Sequence, residues 1–285
     1  MGTKSKPALA AIRRHPFSFL VKLSVIVASL LTLGALLFLL SYIIIRGVPH
    51  LKLSLFAWDY DSTNVSLMPA LINTLIVIGI SLVVTVPLGV FSAIYLSEYA
   101  KKGNKMVEVV RITAETLSGI PSIVYGLFGM LFFVIYLGWG YSIIAGSMTL
   151  SIMILPLIMR TAEEALLSIP GSFREASLAL GAGKLRTVFR IVLPAAIPGI
   201  LSGVILGIGR IVGETAALIY TAGTVPKVAQ SLSSSGRTLA IHLYTLSSEG
   251  FNTDEAFATA VVLLVIVLMI NGLSAGLARR FGKDS

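Results

Sequence analysis

The chain has 285 residues, of which 56% are hydrophobic and only 12% are charged, and its mean hydropathy is +0.93. Soluble globular domains rarely reach these values, so the composition predicts an all-α membrane protein with several spans and excludes an ordinary soluble enzyme. The absence of cysteine excludes disulfides and thiolate metal sites. The three histidines, His15, His50 and His242, are scattered, so no metal site is expected.

Long uncharged stretches predict six transmembrane helices. The first is residues 23–45, whose 23 uncharged residues can cross a hydrocarbon core of about 30 Å at about 1.5 Å per residue. The basic residues before it resemble a signal peptide, but the run is too long and lacks a small-residue cleavage site, which favours an uncleaved helix. The 44 uncharged residues between Glu115 and Arg160 need two helices, which Gly138-Trp139-Gly140 would separate. The other spans are expected within 67–97, at about 195–221 and at 256–278.

The basic residues predict the orientation of these helices. With six spans, seventeen of the 22 lysines and arginines fall on one side, four on the other, and Arg210 lies within the membrane. The positive-inside rule therefore places both termini in the cytoplasm. Topology also accounts for the net charge of +9 without any need for a nucleic-acid partner.

The outer loops carry two features. Residues 58–61, Trp-Asp-Tyr-Asp, fit an interfacial aromatic belt or a docking surface for a soluble partner. Farther along, Leu239, Leu243 and Leu246 follow helical spacing, which predicts a short helix lying on the outer surface. We expect His242, on this helix, to be exposed.

Charged residues near the inner ends of the helices are spaced for pairing. Arg111 and Glu115 are four residues apart, and so are Arg160 and Glu164. Residues at this spacing are neighbours on one helix face, so each pair is predicted to form an ion pair that anchors its helix at the interface.

The start of the third span contains a helix breaker. Pro121 should kink the helix and free a backbone carbonyl, and Ser118, Ser122 and Tyr125 would offer hydroxyl groups beside the kink. Close packing of helices through small residues accounts for the same pattern. Ser118 and Ser122 are therefore candidate residues of a substrate pathway.

The stretch from residue 171 to residue 190 is basic and amphipathic, and too polar to cross a bilayer; it is here called the coupling segment. Ile169-Pro170 should end the preceding helix, Ser172 can cap the next one, and Gly181 permits a turn or a close approach of a partner. Pro194 is expected to begin the return into the membrane. A short exposed helix of this kind fits a groove on a soluble partner.

Six residues of this region match a known signature. With Ser177 in place of its second alanine, the spacing resembles the EAA motif of ABC importer permeases. The matching residues, which the resemblance implies couple the chain to an ATPase, are Glu175, Ala176, Gly181, Ile191, Leu193 and Pro194.

Two charges lie inside the fifth predicted span. Arg210 and Glu214 are four residues apart, which predicts that they share one helix face. A charge at mid-bilayer costs about 2.5–3.5 kcal/mol on insertion scales, so such residues usually face an interior pathway. The planar fork of arginine suits an oxyanion such as phosphate. A buried ion pair that only fixes helix packing is the alternative, although glycines at 203, 207, 209 and 213 suggest space beside the backbone.

Residues 207–216 and 118–129 resemble signatures of the permeases of the high-affinity phosphate ABC importer, and the overall length and residues 238–250 resemble its A-type subgroup. The resemblance implies a type I importer (MetI-like) core. It also implies a C-type permease partner, a dimer of ATPase subunits that binds ATP and Mg, and an extracytoplasmic phosphate-binding protein. No cofactor is expected in this chain.

The resulting hypothesis is a non-enzymatic permease subunit for inorganic phosphate in the cytoplasmic membrane of a bacterium or archaeon. The chain has no G-x-x-x-x-G-K-[S/T] loop, so ATP hydrolysis is expected in a partner. Residues 1–66 would form the cytoplasmic tail, first span and outer loop, 67–276 the transport domain, and 277–285 a cytoplasmic tail. The alternatives are an importer of another oxyanion (phosphonate, sulfate or molybdate) and a membrane scaffold that signals phosphate status.

The predicted topology can be tested with single cysteines, because the chain has none of its own. Cysteines at Ser62 and Ser235 should react with a membrane-impermeant thiol reagent added to sealed cells, whereas those at Ser5 and Ser172 should not. Labelling at Ser172 from outside would contradict the six-span topology.

Overall fold

The computed structural model describes residues 16–101 and 103–281, and every regular element in them is helical. The N-terminal tail with Ser5 and His15, Lys102 and residues 282–285 lie outside the described part. The helices are α1 (Pro16–Gly47), α2 (Met68–Ile94), α3 (Lys105–Ser118), α4 (Ser122–Gly129), α5 (Ile143–Leu167), α6 (Gly171–Ala179), α7 (Lys184–Thr187), α8 (Leu193–Val212), α9 (Ala216–Ile219), α10 (Leu239–Glu249) and α11 (Thr253–Phe281). Three π-helical turns extend α2, α4 and α7, namely Tyr95–Tyr99, Met130–Tyr136 and Val188–Val192. Two short 3₁₀ turns, Val48–His50 and Leu53–Phe56, follow α1.

Five helices of the described residues are long and apolar enough to cross a membrane, and a sixth span is reached if the bent pair α3 and α4 counts as one. The predicted first, second, fourth and sixth spans are thereby confirmed as helices. In α5, 67% of the apolar segment is buried inside the protein, against 28% or less for the other four spans. α5 is therefore the central helix of the molecule.

The third predicted span is broken rather than kinked. α3 and the helix from Ser122 to Tyr136 meet at 101°, and Pro121 occupies the break. The second part has eight α-helical and seven π-helical residues, so it reaches only roughly 20 Å into the bilayer at about 1.5 Å per residue. The predicted turn before α5 is confirmed, since Gly138 and Gly140 adopt left-handed conformations with φ of 67° and 63°.

α3 lies against the C-terminal half of α5 through charged side chains, but the pairing differs from the prediction. The Nε of Arg111 donates to Glu163 at 2.9 Å, not to Glu115. Glu115 instead lies 3.9 Å from Arg160, which also pairs with Glu164 at 3.1 Å as expected. The prediction for Arg111 was wrong because α3 runs beside α5, and the tertiary contact offers a better-buried carboxylate than the helical neighbour.

The fifth predicted span is also corrected at both ends. The helix is continuous from Lys184 to Val212, so it begins inside the coupling segment and Pro194 interrupts nothing. It stops at Val212, and the residues up to Thr221 form a break and the short helix α9. Proline is tolerated at position 194 because the π turn before it leaves the local hydrogen bonding already rearranged.

The predicted short helix is confirmed as α10, but its first half is buried inside the protein instead of lying on the outer surface. Leu239 and Leu246 are 1% and 0% exposed, and His242 is fully buried. The His242 ring meets Tyr60 edge-on at 6.1 Å between ring centroids, and the guanidinium of Arg237 lies 4.5 Å from the centre of the same Tyr60 ring. Tyr60, in the loop after α1, therefore covers His242, which was expected to be exposed, and also Arg237.

The burial of His242 has an electrostatic consequence. Desolvation first, and then the positive charge of Arg237, lower the pKa of His242 from 6.5 to about 3, while the nearby Val65 backbone opposes this only in part. The folded protein therefore keeps this ring neutral at pH values where the unfolded chain would protonate it.

Acid should consequently destabilise the packing around His242 and α10. Between pH 6.5 and about 3 the unfolded chain binds the extra proton, so each pH unit should remove about 1.4 kcal/mol of stability. His242→Phe keeps the edge contact with Tyr60 but cannot take up a proton. Thermal unfolding of the detergent-purified protein at pH 7.5 and pH 5 should show a smaller loss of Tm for His242→Phe than for the unchanged protein. Equal losses would contradict a buried neutral His242.

Candidate functional site

The coupling segment forms an exposed helical hairpin. α6 buries Ser177 but leaves the apolar side chains of Phe173, Leu178 and Leu180 exposed, Leu180 to 89%. Gly181 then adopts a left-handed conformation with φ of 81°, and a Cβ added there would meet nothing within 4 Å. The predicted turn at Gly181 is confirmed, and an apolar surface remains without a partner in the described chain.

The six motif residues fall into two groups. Glu175 and Ala176 are exposed on α6 and Gly181 forms the turn, so these three lie on the open surface. The other three are part of the continuous helix that returns to the membrane, and they are Ile191, Leu193 and Pro194.

The N-terminus of α6 also differs from the prediction. Pro170 occupies the N-cap position and no side chain caps the helix, so the capping role predicted for Ser172 was wrong. Pro170 is extended with ψ of 138°, which separates α6 from α5 and lets the chain turn.

The most extensive polar contact of the coupling segment was not predicted from the sequence. Arg174 of α6 pairs with Glu98 of the π turn after α2, with Nε 3.0 Å and Nη2 2.6 Å from the same carboxylate oxygen. Its Nη1 and Nη2 also donate to the carbonyls of Ile169 and Leu166, at 2.8 Å and 2.9 Å. Arg174 thus joins the end of α2 and the end of α5 to α6. The only trace in the sequence is an isolated Glu98 after a long uncharged run.

Two further contacts hold the hairpin. The hydroxyls of Ser177 and Thr187 are 2.8 Å apart and buried, which ties α6 to α7. The ammonium group of Lys184 lies 4.9 Å from the centre of the Tyr99 ring, again in the π turn after α2. The serine in place of the motif alanine therefore adds a contact between α6 and α7, because alanine could not make the bond to Thr187.

The second candidate site contains Arg210 and Glu214, and they are not on one helix. α8 ends at Val212, and Glu214 lies in the break before α9. The carboxylate of Glu214 is buried and accepts a hydrogen bond from the backbone N–H of Ala217 at 3.1 Å. The predicted shared helix face was therefore wrong. The alternative, a buried ion pair, is also not observed, since no ion pair joins Arg210 to Glu214 among the described residues.

Three helix ends meet beside Arg210. The guanidinium lies close enough to Tyr125 of α4 for the two groups to interact electrostatically. The Tyr125 hydroxyl in turn donates to the carbonyl of Leu117, near the end of α3, at 2.8 Å. Gly126 is packed so closely against α9 that a Cβ there would lie 2.8 Å from the Ala217 Cα.

The candidate serines flank the same bend. The Ser118 hydroxyl, at the end of α3, donates to the Glu115 carbonyl at 2.7 Å, and Ser122 begins α4. The four predicted pathway residues are thus located at the ends and breaks of helices that lie together.

The glycines near Arg210 serve two purposes. A Cβ at Gly203 would collide with Thr161 of α5, so Gly203 allows close packing of α8 on α5. A Cβ at Gly209, directly before Arg210, would meet nothing within 4 Å. The predicted open space therefore exists at Gly209 but not at Gly203. No group of three metal-ligating side chains occurs in the residues that the structure describes.

The comparison with known proteins agrees with this arrangement. The family model described as binding-protein-dependent transport system inner membrane component matches residues 85–283. The chain is 38% identical over 256 residues to the probable ABC transporter permease protein YqgI of Bacillus subtilis, covering 82% of this chain and 85% of that protein. It is 36% identical over 213 residues to the phosphate transport system permease protein PstA 1 of Mycobacterium tuberculosis strain H37Rv, covering 74% of this chain and 68% of the relative.

A solved ABC transporter contains a chain with the same fold. A chain in the crystal structure of a bacterial alginate ABC transporter, in complex with its alginate-bound periplasmic protein, superimposes with a TM-score of 0.67. The match covers 96% of this chain and 98% of the other at 17% identity, so it shows the fold alone. The predicted MetI-like importer fold and the resemblance to phosphate-importer permeases are confirmed. The chain belongs to the family of binding-protein-dependent transport system inner membrane components, the permease subunits of ABC importers.

Proposed function

We propose that this chain is the A-type permease subunit of an importer that moves inorganic phosphate into the cytoplasm. Its partners are a C-type permease, a dimer of ATPase subunits that bind ATP and Mg, and an extracytoplasmic phosphate-binding protein. Both termini are cytoplasmic. The relative named for phosphate transport supports the substrate, and the chemistry around Arg210 supports it independently.

The observation that carries the proposal is the unpaired state of Arg210. It is the one basic residue that the described spans hold in their interior, and no carboxylate of the described residues lies within 4.0 Å of its guanidinium group. A cation in that position is costly unless something compensates its charge. A passing phosphate can do so, because the fork of arginine donates two parallel hydrogen bonds to oxyanion oxygens.

Glu214 has a separate role in the proposal. One oxygen of its carboxylate accepts a hydrogen bond from the Ala217 N–H, and Glu214 lies in the break between α8 and α9. An ionised carboxylate only accepts hydrogen bonds, and phosphate near neutral pH still has an O–H to donate, which sulfate lacks. Glu214 therefore favours phosphate over sulfate.

Substitutions at these two residues test the pathway. Arg210→Lys keeps the charge but loses the fork, so phosphate uptake should fall about tenfold or more, a change of about 1.4 kcal/mol. Glu214→Gln should impair uptake less and should narrow the preference for phosphate over sulfate. Uptake is measured with the reconstituted complex and a fixed amount of binding protein.

Arg46→Lys is the matched control, because Arg46 is exposed at the outer end of α1 and should tolerate the change. Uptake at the unchanged rate by Arg210→Ala would contradict a pathway through Arg210. Equal uptake of sulfate and phosphate by the unchanged complex would overturn the assigned substrate.

We propose that the coupling segment inserts into a groove on the ATPase subunit. This requires the wall of that groove to lie against Gly181. Asparagine tolerates a left-handed backbone far better than valine. If only the backbone mattered, Gly181→Asn would therefore transport normally and Gly181→Val would not. Because the space outside Gly181 is proposed to hold the partner, we expect both variants to lose most phosphate-driven ATP hydrolysis, by about tenfold or more.

Gly103→Asn is the control for this experiment. Gly103 lies on a different inner loop, has φ of 80°, and a Cβ there would also meet nothing within 4 Å. It should keep normal ATP hydrolysis. Normal activity of Gly181→Asn would show that the groove does not contact this turn.

A further inference from the structure

The pair formed by Glu98 and Arg174 connects two parts of the chain that are far apart in the sequence. α6 follows α5 after a three-residue link, and α7 continues into α8 as one helix, so the coupling segment is covalently joined to both. It has no such connection to α2, whose π turn lies 76 residues before Arg174. Contact with α2 depends on side chains alone.

We propose that the Glu98–Arg174 pair transmits movement of the coupling segment to α2, so that α2, α5 and α8 shift together when the ATPase changes conformation. The inference rests on the proposed coupling role of this segment. Glu98 and Arg174 are positioning residues and touch no substrate.

The geometry suits transmission of movement. The side chains of Glu98 and Arg174 are only 7% and 23% exposed, so salt and water screen the pair weakly. Arg174 donates to the Glu98 carboxylate and also to the carbonyls of Leu166 and Ile169, which fixes the guanidinium plane in position. A rigid fork with partners on two helix ends resists both sliding and rotation.

A second contact supports the same connection. Lys184 of α7 stacks on Tyr99, one residue after Glu98. Both helices of the hairpin, α6 and α7, therefore contact the same π turn. A π turn has weaker regular hydrogen bonding than an α-helix and is a frequent feature of functional positions.

Movement that reaches α2 can continue toward the candidate pathway. α2 and α5 are joined by buried hydroxyls, with Ser81 donating to the Ser147 carbonyl at 3.2 Å and Ser151 donating to the Ser81 carbonyl at 3.3 Å. α5 contacts α8 closely at Gly203, and α8 ends beside Arg210. The connection therefore runs through packed elements from the coupling segment to the breaks around Arg210.

Removal of the pair should uncouple ATP hydrolysis from transport. In the reconstituted complex, Glu98→Gln, which has nearly the same shape, and Arg174→Lys, which keeps the charge without the fork, should each hydrolyse ATP within twofold of the unchanged rate. Phosphate taken up per ATP hydrolysed should fall at least threefold. A merely structural role would reduce both rates together and leave the ratio unchanged.

Arg160→Gln is the matched control. Arg160 pairs with Glu164 at the same end of α5, but both side chains are more than half exposed, and neither has a hydrogen bond or ion pair with the described coupling segment. Its ratio of uptake to hydrolysis should not change. An unchanged ratio in both test variants, or failure of both to assemble into the complex, would overturn the proposal.

A measurement without substrate separates this inference from the assignment of phosphate. Spin labels on cysteines at Leu88 of α2 and Arg186 of α7, both exposed, report the distance between the two elements in a chain without native cysteine. On trapping the complex with ATP the distance should stay constant with the pair intact and change in Glu98→Gln. The same distance change in both proteins would contradict the transmission of movement, whatever the transported anion is.

Discussion

The close approach of α2 and α8 to the central helix α5 is the constraint on which the membrane part of the protein depends. At Gly89 of α2 an added Cβ would lie 2.9 Å from Ile158, and at Gly203 of α8 it would collide with Thr161. Between apolar helices in lipid there is little hydrophobic driving force, so small residues that permit dense packing and buried hydroxyl bonds provide the cohesion. Larger side chains at these two glycines would separate the helices, and a larger side chain at Gly89 would weaken the bond from the Ser151 hydroxyl to the Ser81 carbonyl.

The membrane helices are interrupted after α3 and after α8. Non-helical backbone at membrane depth is tolerated only where protein covers it or where it lines a cavity. The break after α3 is held by Tyr125, whose hydroxyl satisfies the Leu117 carbonyl. The break after α8 is held by Glu214, whose carboxylate satisfies an N–H of α9. Both breaks adjoin Arg210, which fits the proposal that this region is where an anion passes.

Two arginines show how one kind of side chain serves different purposes. Arg174 directs its donors to a carboxylate and two carbonyls, so its charge is compensated and its position fixed. Arg210 has no carboxylate within 4.0 Å in the described chain and lies beside the open space at Gly209. A compensated arginine can hold helices in register, whereas an uncompensated one can attract an anion.

The amino-acid sequence by itself determined the membrane class, the helical fold, most of the spans and the turn at Gly181. These depend on composition, on uncharged length and on the backbone preferences of single residues, all of which are local. Tertiary structure decided which charges pair, since Arg111 prefers Glu163 and Arg174 prefers Glu98 over any helical neighbour. It also decided that His242 is buried, because a residue's exposure depends on what packs over it. Contacts between residues 52 or 76 positions apart leave no periodic trace in the chain, and only the packing of helices brings them together.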